Sequence, residues 1–244
     1  MKKLRAFYRF AFFAGFLAAL ILWVSWLRLW KGVDMWRFIK IRQNWTKRYL
    51  LPALGVRIHR KGTPPDFPCI LMSNHRSYLD PAIICSDVLG YPVSKAEVSN
   101  WPLLGTGAKL TGVLFLKREN PTSRKRALSA IAEKVKEGFP VILFPEGTTH
   151  NLPKTSPLRR GGFQIAATNQ IPIVPVALEF GSEADYWIGD DTFIPHFFDR
   201  FGEQFMDVYV HYGPMLQGEN AQELQDKTQN WLDTEILALR KEFY

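Results

Sequence analysis

A histidine and an aspartate stand five residues apart in Asn74-His75-Arg76-Ser77-Tyr78-Leu79-Asp80-Pro81. An imidazole can take a proton near neutral pH, and a carboxylate bonded to its far nitrogen fixes its tautomer and stabilises the imidazolium. The pair therefore points to an enzyme that deprotonates a hydroxyl or an amine. The structural alternatives are that Asp80 only caps a helix and that His75 bonds nearby backbone. Position favours the chemical reading. Residues 69–72 form a short apolar run suited to a buried strand, and Asp80-Pro81 reads as an N-cap followed by proline at N1. His75 then lies at a strand-to-helix junction, where α/β folds place catalytic groups. From that junction the Asp80 carboxylate can reach back to His75.

Three further segments carry polar groups next to apolar runs. Phe144-Pro145-Glu146-Gly147-Thr148-Thr149 follows a strand-like run and offers an acceptor, exposed backbone and hydroxyls. Gly112-Val113-Leu114-Phe115-Leu116-Lys117-Arg118 puts an arginine at a strand's C-terminal end, well placed to clamp a phosphate bidentately. Ile171-Pro172-Ile173-Val174-Pro175-Val176 reads as a strand whose two prolines predict an edge position or a strand start, a structural role only.

The elements that must hold these groups follow from periodicity. Residues 56–60 alternate apolar and polar as a half-buried strand does, and residues 113–116, 141–144, 173–178 and 207–212 are further strands. Helices are expected from residue 81, over 122–137, over 161–169 and over 219–242. Alternation of strands and helices implies an α/β fold, with a central mixed β-sheet flanked by helices. Residues 181–204 are rich in aromatics and charges and carry no clear period.

The chain has 244 residues, enough for one substantial core, and 47% hydrophobic residues exclude a disordered chain. Its net charge of +8 is uneven: residues 1–50 hold eleven Lys or Arg against one acid, while the remainder is slightly acidic. A nucleic-acid-binding enzyme would carry its excess on the folded domain. Here the excess flanks residues 10–27, an uncharged run of 18, and reads as attraction to anionic lipid. Trp23, Trp26 and Trp30 fit an interfacial aromatic belt, and no small-residue cleavage site follows the run. Residues 33–50 read as a second, basic amphipathic helix. Residues 1–50 are therefore expected to be a two-helix membrane anchor that need not cross the bilayer, and residues 51–244 the catalytic domain. The two cysteines, Cys69 and Cys85, form no metal-ligand pattern with the five histidines and no disulfide framework.

The four motifs, in this order, resemble those of the glycerolipid acyltransferase family, whose best-known members are the 1-acylglycerol-3-phosphate acyltransferases. The family pattern reads NHxxxxD, GxxFIxR, FPEGTxS and VPVxI; this chain has NHRSYLD, GVLFLKR, FPEGTTH and IPIVPVAL. The resemblance covers roughly residues 55–180 and extends to a membrane-anchoring N-terminus. It implies a single acyltransferase domain in which His75 is the general base toward a lysolipid hydroxyl and Asp80 orients it. It also implies that Arg118 binds the acceptor's phosphate, that Glu146, Gly147 and Thr148 shape the acceptor site, and that Lys95 and Arg159 or Arg160 add basic sites. The donor would be a thioester of acyl carrier protein or coenzyme A, with no cofactor, no metal and no nucleic-acid partner, and the catalytic domain would lie on the cytoplasmic face. Many phosphatidate-forming members have arginine and then serine after EGT, where this chain has Thr149 and His150. The missing arginine leaves room for another lysolipid acceptor, such as a lyso-aminolipid. The remaining readings are a hydrolase that uses the same pair and a membrane lipid-binding protein without catalysis.

Overall fold

The computed structural model describes residues 1–116 and 121–243, the side chains of 121–127 and 243 excepted. In chain order the elements are α1 (Lys2–Lys31), α2 (Met35–Trp45), α3 (Leu51–Leu54), β1 (Val56–Lys61), β2 (Ile70–Ser73), α4 (Asp80–Asp87), β3 (Tyr91–Lys95), α5 (Leu104–Leu110) and β4 (Leu114–Leu116). They continue with α6 (Pro121–Lys136), β5 (Val141–Leu143), α7 (Gly161–Thr168), β6 (Ile173–Phe180), α8 (Phe193–Arg200), β7 (Met206–Tyr212) and α9 (Ala221–Phe243). The strands make one sheet in the order β1-β7-β6-β2-β5-β3-β4. All neighbours run parallel except β6 and β7. The expected α/β fold with a mixed sheet is what the chain adopts.

Alternation along the inner strands divides the core in two. Leu71 and Ile142 join one cluster with Phe16, Leu20 and Val24 of α1 and Ile83 and Ile84 of α4. Ile70, Met72 and Val141 join the other, with Ile131 and Val135 of α6, Phe163 of α7 and Leu232 and Ile236 of α9. A strand buried on both sides reads as a continuous apolar run, which is why residues 69–72 were legible as β2.

Of the two alternatives for the proline-bearing strand, an edge position or a strand start, the structure takes the second. β6 is buried along its whole length and lies between β2 and β7, inside the sheet rather than at its edge. Its prolines are tolerated for a local reason. Pro172 precedes the strand, and the pairing of β6 with β7 begins only at Val176 opposite Tyr212. Pro175 accepts from Gly213 N on that side, one residue before the ladder starts, so the missing N–H falls at the ladder's end. A departure from expectation concerns Asp80. The helix begins at Asp80 itself, with Leu79 as N-cap and Pro81 one position later than expected. The strand β3 and the helices α5 and α8 were not expected; α8 occupies part of the unplaced stretch 181–204.

The apolar N-terminal run forms α1, the one helix among the described residues long and apolar enough to cross a membrane. At a rise of about 1.5 Å per residue its 30 residues span about 45 Å. One face joins the core through Phe16, Leu17, Leu20, Val24 and Leu27, while Leu22, Trp23, Trp26, Leu29 and Trp30 are exposed. Trp23 stacks on Trp26 at 5.2 Å, and Trp36 of α2 adds another exposed indole. α2 continues through a π-helical turn at Thr46–Leu50 into α3, longer than the expected 33–50, and Gly55 ends it in the left-handed region at φ +79°. That glycine has a second reason: a Cβ there would lie 2.2 Å from the Arg9 guanidinium. Arg9, buried on α1, donates to Ala53 O, Phe201 O, Glu203 O and Gln204 O, tying the helix to the turn before β1 and the loop before β7.

Replacing Arg9 by Leu keeps α1 apolar and leaves those carbonyls without their charged donor. The expected cost is about 1–3 kcal/mol, read as a lowered unfolding midpoint of the detergent-solubilised protein. An unchanged midpoint would show that α1 docks without the help of Arg9.

Candidate functional site

Parallel strands put their C-terminal ends on one edge of the sheet. β2, β5 and β3 are consecutive neighbours there, ending at Ser73, Leu143 and Lys95. The loops after β2 and β5 thus meet, and they carry His75 and Glu146. Asn74 fixes the first loop from below: its amide donates to Leu178 O at 2.7 Å and accepts from Leu178 N at 2.8 Å, as a paired strand residue would. The polypeptide can then leave the sheet at His75 without losing its register on β6.

The His75 ring stacks on Phe144 at 4.3 Å and keeps about a fifth of its side chain exposed. Its Nδ1 lies 2.7 Å from Asp80 Oδ2. The same oxygen accepts from Arg76 N at 2.6 Å and Ser77 N at 2.9 Å, so Asp80, fully buried, faces three donors. An ionised carboxylate can only accept, which puts the ring proton on Nδ1 and leaves the Nε2 lone pair bare. Among the described residues nothing bonds that nitrogen. Of the two roles that sequence reasoning gave this carboxylate, it keeps the bond to the histidine and does not cap α4; its other bonds, to Arg76 N and Ser77 N, shape the loop before the helix.

Glu146 is buried, and both its oxygens bind the protein. Oε1 accepts from His75 N at 2.8 Å. Oε2 accepts from Ser156 N at 2.6 Å and Ser156 Oγ at 3.1 Å, and it bonds His150 Nε2. Its contact with the site therefore runs through the His75 backbone. Gly147 turns the chain at φ +80°, and a Cβ there would lie 2.6 Å from Arg159 Nε. Of the two arginines singled out before α7, Arg159 is thus the one laid over the Glu146 turn. Arg160 is the exposed residue at the N-cap of α7. Thr148 is exposed, its hydroxyl 3.5 Å from Thr149 O. Lys95 ends β3, exposed, in register with Leu116 of β4. Arg118 lies outside the described residues.

Sequence reasoning missed the buried polar residues beneath this surface. Arg76, an unspecified position between the histidine and the aspartate, is wholly buried. It lies 3.5 Å from Glu179, with its guanidinium over the Tyr186 ring at 5.2 Å, and it donates to His150 O at 2.9 Å. Glu179 in turn accepts from Tyr186 Oη and lies 3.6 Å from Arg240 of α9. A buried charge needs such partners. The only sequence signal for them was a Glu within an otherwise apolar β6 run.

A thiol nucleophile is unsupported. Cys69 and Cys85 are both buried. Burial pushes the Cys69 thiol up to about 12 and that of Cys85 upward as well, away from the thiolate form that attack requires. The group left able to accept a proton at this edge of the sheet is His75 Nε2.

A family model described as Acyltransferase matches residues 55–179, about half of the chain, including the loops of His75 and Glu146. A lyso-ornithine lipid O-acyltransferase of Pseudomonas aeruginosa is 29% identical over 228 residues, covering 90% of this chain and 82% of that protein. The human 1-acyl-sn-glycerol-3-phosphate acyltransferase alpha is 30% identical over 181 residues, 70% of this chain and 62% of that one. A chloroplastic 1-acyl-sn-glycerol-3-phosphate acyltransferase of Brassica napus is 38% identical over 114 residues, and the match spans a third of its length. The crystal structure of the 1-acyl-sn-glycerophosphate acyltransferase PlsC from Thermotoga maritima superposes with a TM-score of 0.74 over 98% of both chains, at 20% identity, a likeness of fold. With the His75–Asp80 and Glu146 loops inside the matched region, the chain belongs to the glycerolipid acyltransferase family.

Proposed function

We propose that the protein is a membrane-associated acyltransferase. It moves a fatty acyl group from a thioester of acyl carrier protein or coenzyme A to the sn-2 hydroxyl of 1-acylglycerol-3-phosphate, forming phosphatidate. The observation that carries this reading is the bond of His75 Nδ1 to Asp80 at 2.7 Å, which leaves Nε2 as a free base at the sheet's carboxyl edge.

The steps follow from that geometry. His75 Nε2 takes the hydroxyl proton as the acceptor oxygen attacks the thioester carbonyl, and buried Asp80 stabilises the imidazolium. The tetrahedral oxyanion needs N–H donors. Its collapse breaks the C–S bond, and the imidazolium returns the proton to the leaving thiolate. No covalent enzyme intermediate is required. Lys95, Arg118, Arg159 and Arg160 supply positive charge for the acceptor's anionic head, with Gly147 and Thr148 forming the turn beside it. The exposed apolar face of α1, with its tryptophans and flanking lysines and arginines, rests in the bilayer's interfacial layer and brings the lysolipid to the site. The catalytic domain then sits on the cytoplasmic face, where acyl thioesters are made.

A second acceptor is favoured by specific observations. Thr149 replaces the arginine that many phosphatidate-forming relatives carry after EGT. The Pseudomonas aeruginosa relative, named for a lyso-ornithine lipid, is matched over nearly the whole chain. On this reading the chemistry stays and the head group changes.

Replacing His75 by Ala is expected to lower transfer by about 10²–10⁴-fold, leaving at most a trace; near-wild-type turnover would remove the base from the mechanism. Arg118→Ala should raise the acceptor's KM more than the donor's, and equal effects on both would contradict its assigned contact. A panel of lysolipids offered with labelled acyl thioester decides the acceptor. Product that forms only with lysophosphatidate supports the first reading, product with lyso-ornithine lipid the second, and acceptor-independent release of fatty acid would mean hydrolysis.

A further inference from the structure

We infer that His150 is a positioning residue for His75, acting through a cross-tie to Glu146 and Arg76. The inference rests on the acyl-transfer reading above and goes beyond it in assigning a role to a residue that departs from the family pattern. His150 stands where the pattern has serine. Its ring reaches two partners that a serine is too short to bridge. Nε2 bonds Glu146 Oε2. Nδ1 lies 3.1 Å from Arg76 Nη1 and 3.1 Å from Leu152 N. Both of those are donors, so Nδ1 accepts and the ring proton sits on Nε2, donated to Glu146. Ser156 N also lies 3.4 Å from Nε2, but its shorter bond, 2.6 Å, is to Glu146 Oε2.

Both partners adjoin the base. Glu146 holds the backbone N–H of His75 with its other oxygen, and Arg76 is the next residue, its own N–H bonded to Asp80. His150 thus fastens the loop after β5 to the loop after β2 on both sides of His75. The guanidinium it receives is fully buried and fixed in turn by Glu179 and the Tyr186 ring. Arg76, at a position the family pattern leaves open, and His150, a departure from it, are complementary: a buried donor on one loop and a ring acceptor on the other. Neither ring nitrogen of His150 faces the acceptor, because both are bonded within the protein. Its effect should therefore fall on turnover rather than on substrate binding.

The test uses the full-length chain in detergent micelles with palmitoyl coenzyme A and the lysolipid on which the wild type is most active. His150→Ala, His150→Gln, His150→Asn and His75→Ala are measured side by side. Gln places an N–H₂ donor near the position of Nε2, whereas Asn places a carbonyl acceptor near that of Nδ1. The expected result is a loss of kcat of about 10- to 100-fold for His150→Ala, with KM within about threefold of wild type. Gln should restore most of the rate and Asn should not, because the donation to Glu146 is the link that reaches the His75 backbone. Unchanged kcat in His150→Ala, a loss confined to KM, or rescue by Asn equal to that by Gln would overturn the inference. Should His150→Ala fail to fold, the Gln and Asn variants decide; if neither of those folds, the role is structural and the inference falls. Full activity of His75→Ala would instead remove the base reading itself. Inactive His75→Ala with unaffected His150→Ala removes only the present inference.

Discussion

Asp80 Oδ2 accepts from three groups at once, the His75 ring and the backbone amides of Arg76 and Ser77, all within 2.9 Å. These bonds turn the chain from the end of β2 into α4 and fix which ring nitrogen of His75 carries the proton. A buried carboxylate is costly unless its charge is met by donors. The loop must therefore keep this shape as long as Asp80 is ionised. The rest of the structure supports that loop. Asn74 holds its start to Leu178 of β6, Glu146 holds the His75 amide, and α4 packs Ile83 and Ile84 into the core behind it.

The same economy appears beneath the site. Arg76 and Glu179 are both buried without exposure, with Tyr186, His150 and Arg240 around them. Such a cluster joins the loop after β2, β6, the loop after β5 and α9, four parts of the chain far apart in sequence. Its bonds are directional, so it constrains relative placement in a way that apolar packing does not. The loops that carry His75 and Glu146 are thereby held in place from below. Arg9 plays a comparable part for α1, joining the helix to two backbone segments, the turn before β1 and the loop before β7.

How much of this was legible in the sequence follows from the range of each interaction. His75 and Asp80 are five residues apart and flank a strand and a helix of clear period, so the pair and its bond could be read directly. β2, β5 and β6 announce themselves because strands buried on both faces are continuous apolar runs. β3 did not: Tyr91-Pro92-Val93-Ser94-Lys95 is short, holds a proline and becomes a strand by pairing with Val141 and Ile142 and with β4. The prolines of β6 left an edge position and a strand start both open, because tolerance of Pro175 depends on where β7 stops pairing, a fact of tertiary structure. Arg76 to Glu179 and Glu146 to His75 span 103 and 71 residues, and no local pattern encodes them. His150 was visible only as a departure from the family motif; its partners became visible only with the loops in place.

The account turns on the tautomer that Asp80 imposes on His75. ¹⁵N NMR of histidine-labelled protein, with the His75 signals assigned by their absence in His75→Ala, reads it directly at a pH where the ring is neutral. The account predicts a protonated Nδ1 and a bare Nε2, shifting to a mixture of tautomers when Asp80 is replaced by Asn. A ring protonated on Nε2 in the wild type would contradict it, because no lone pair would then face the acceptor hydroxyl.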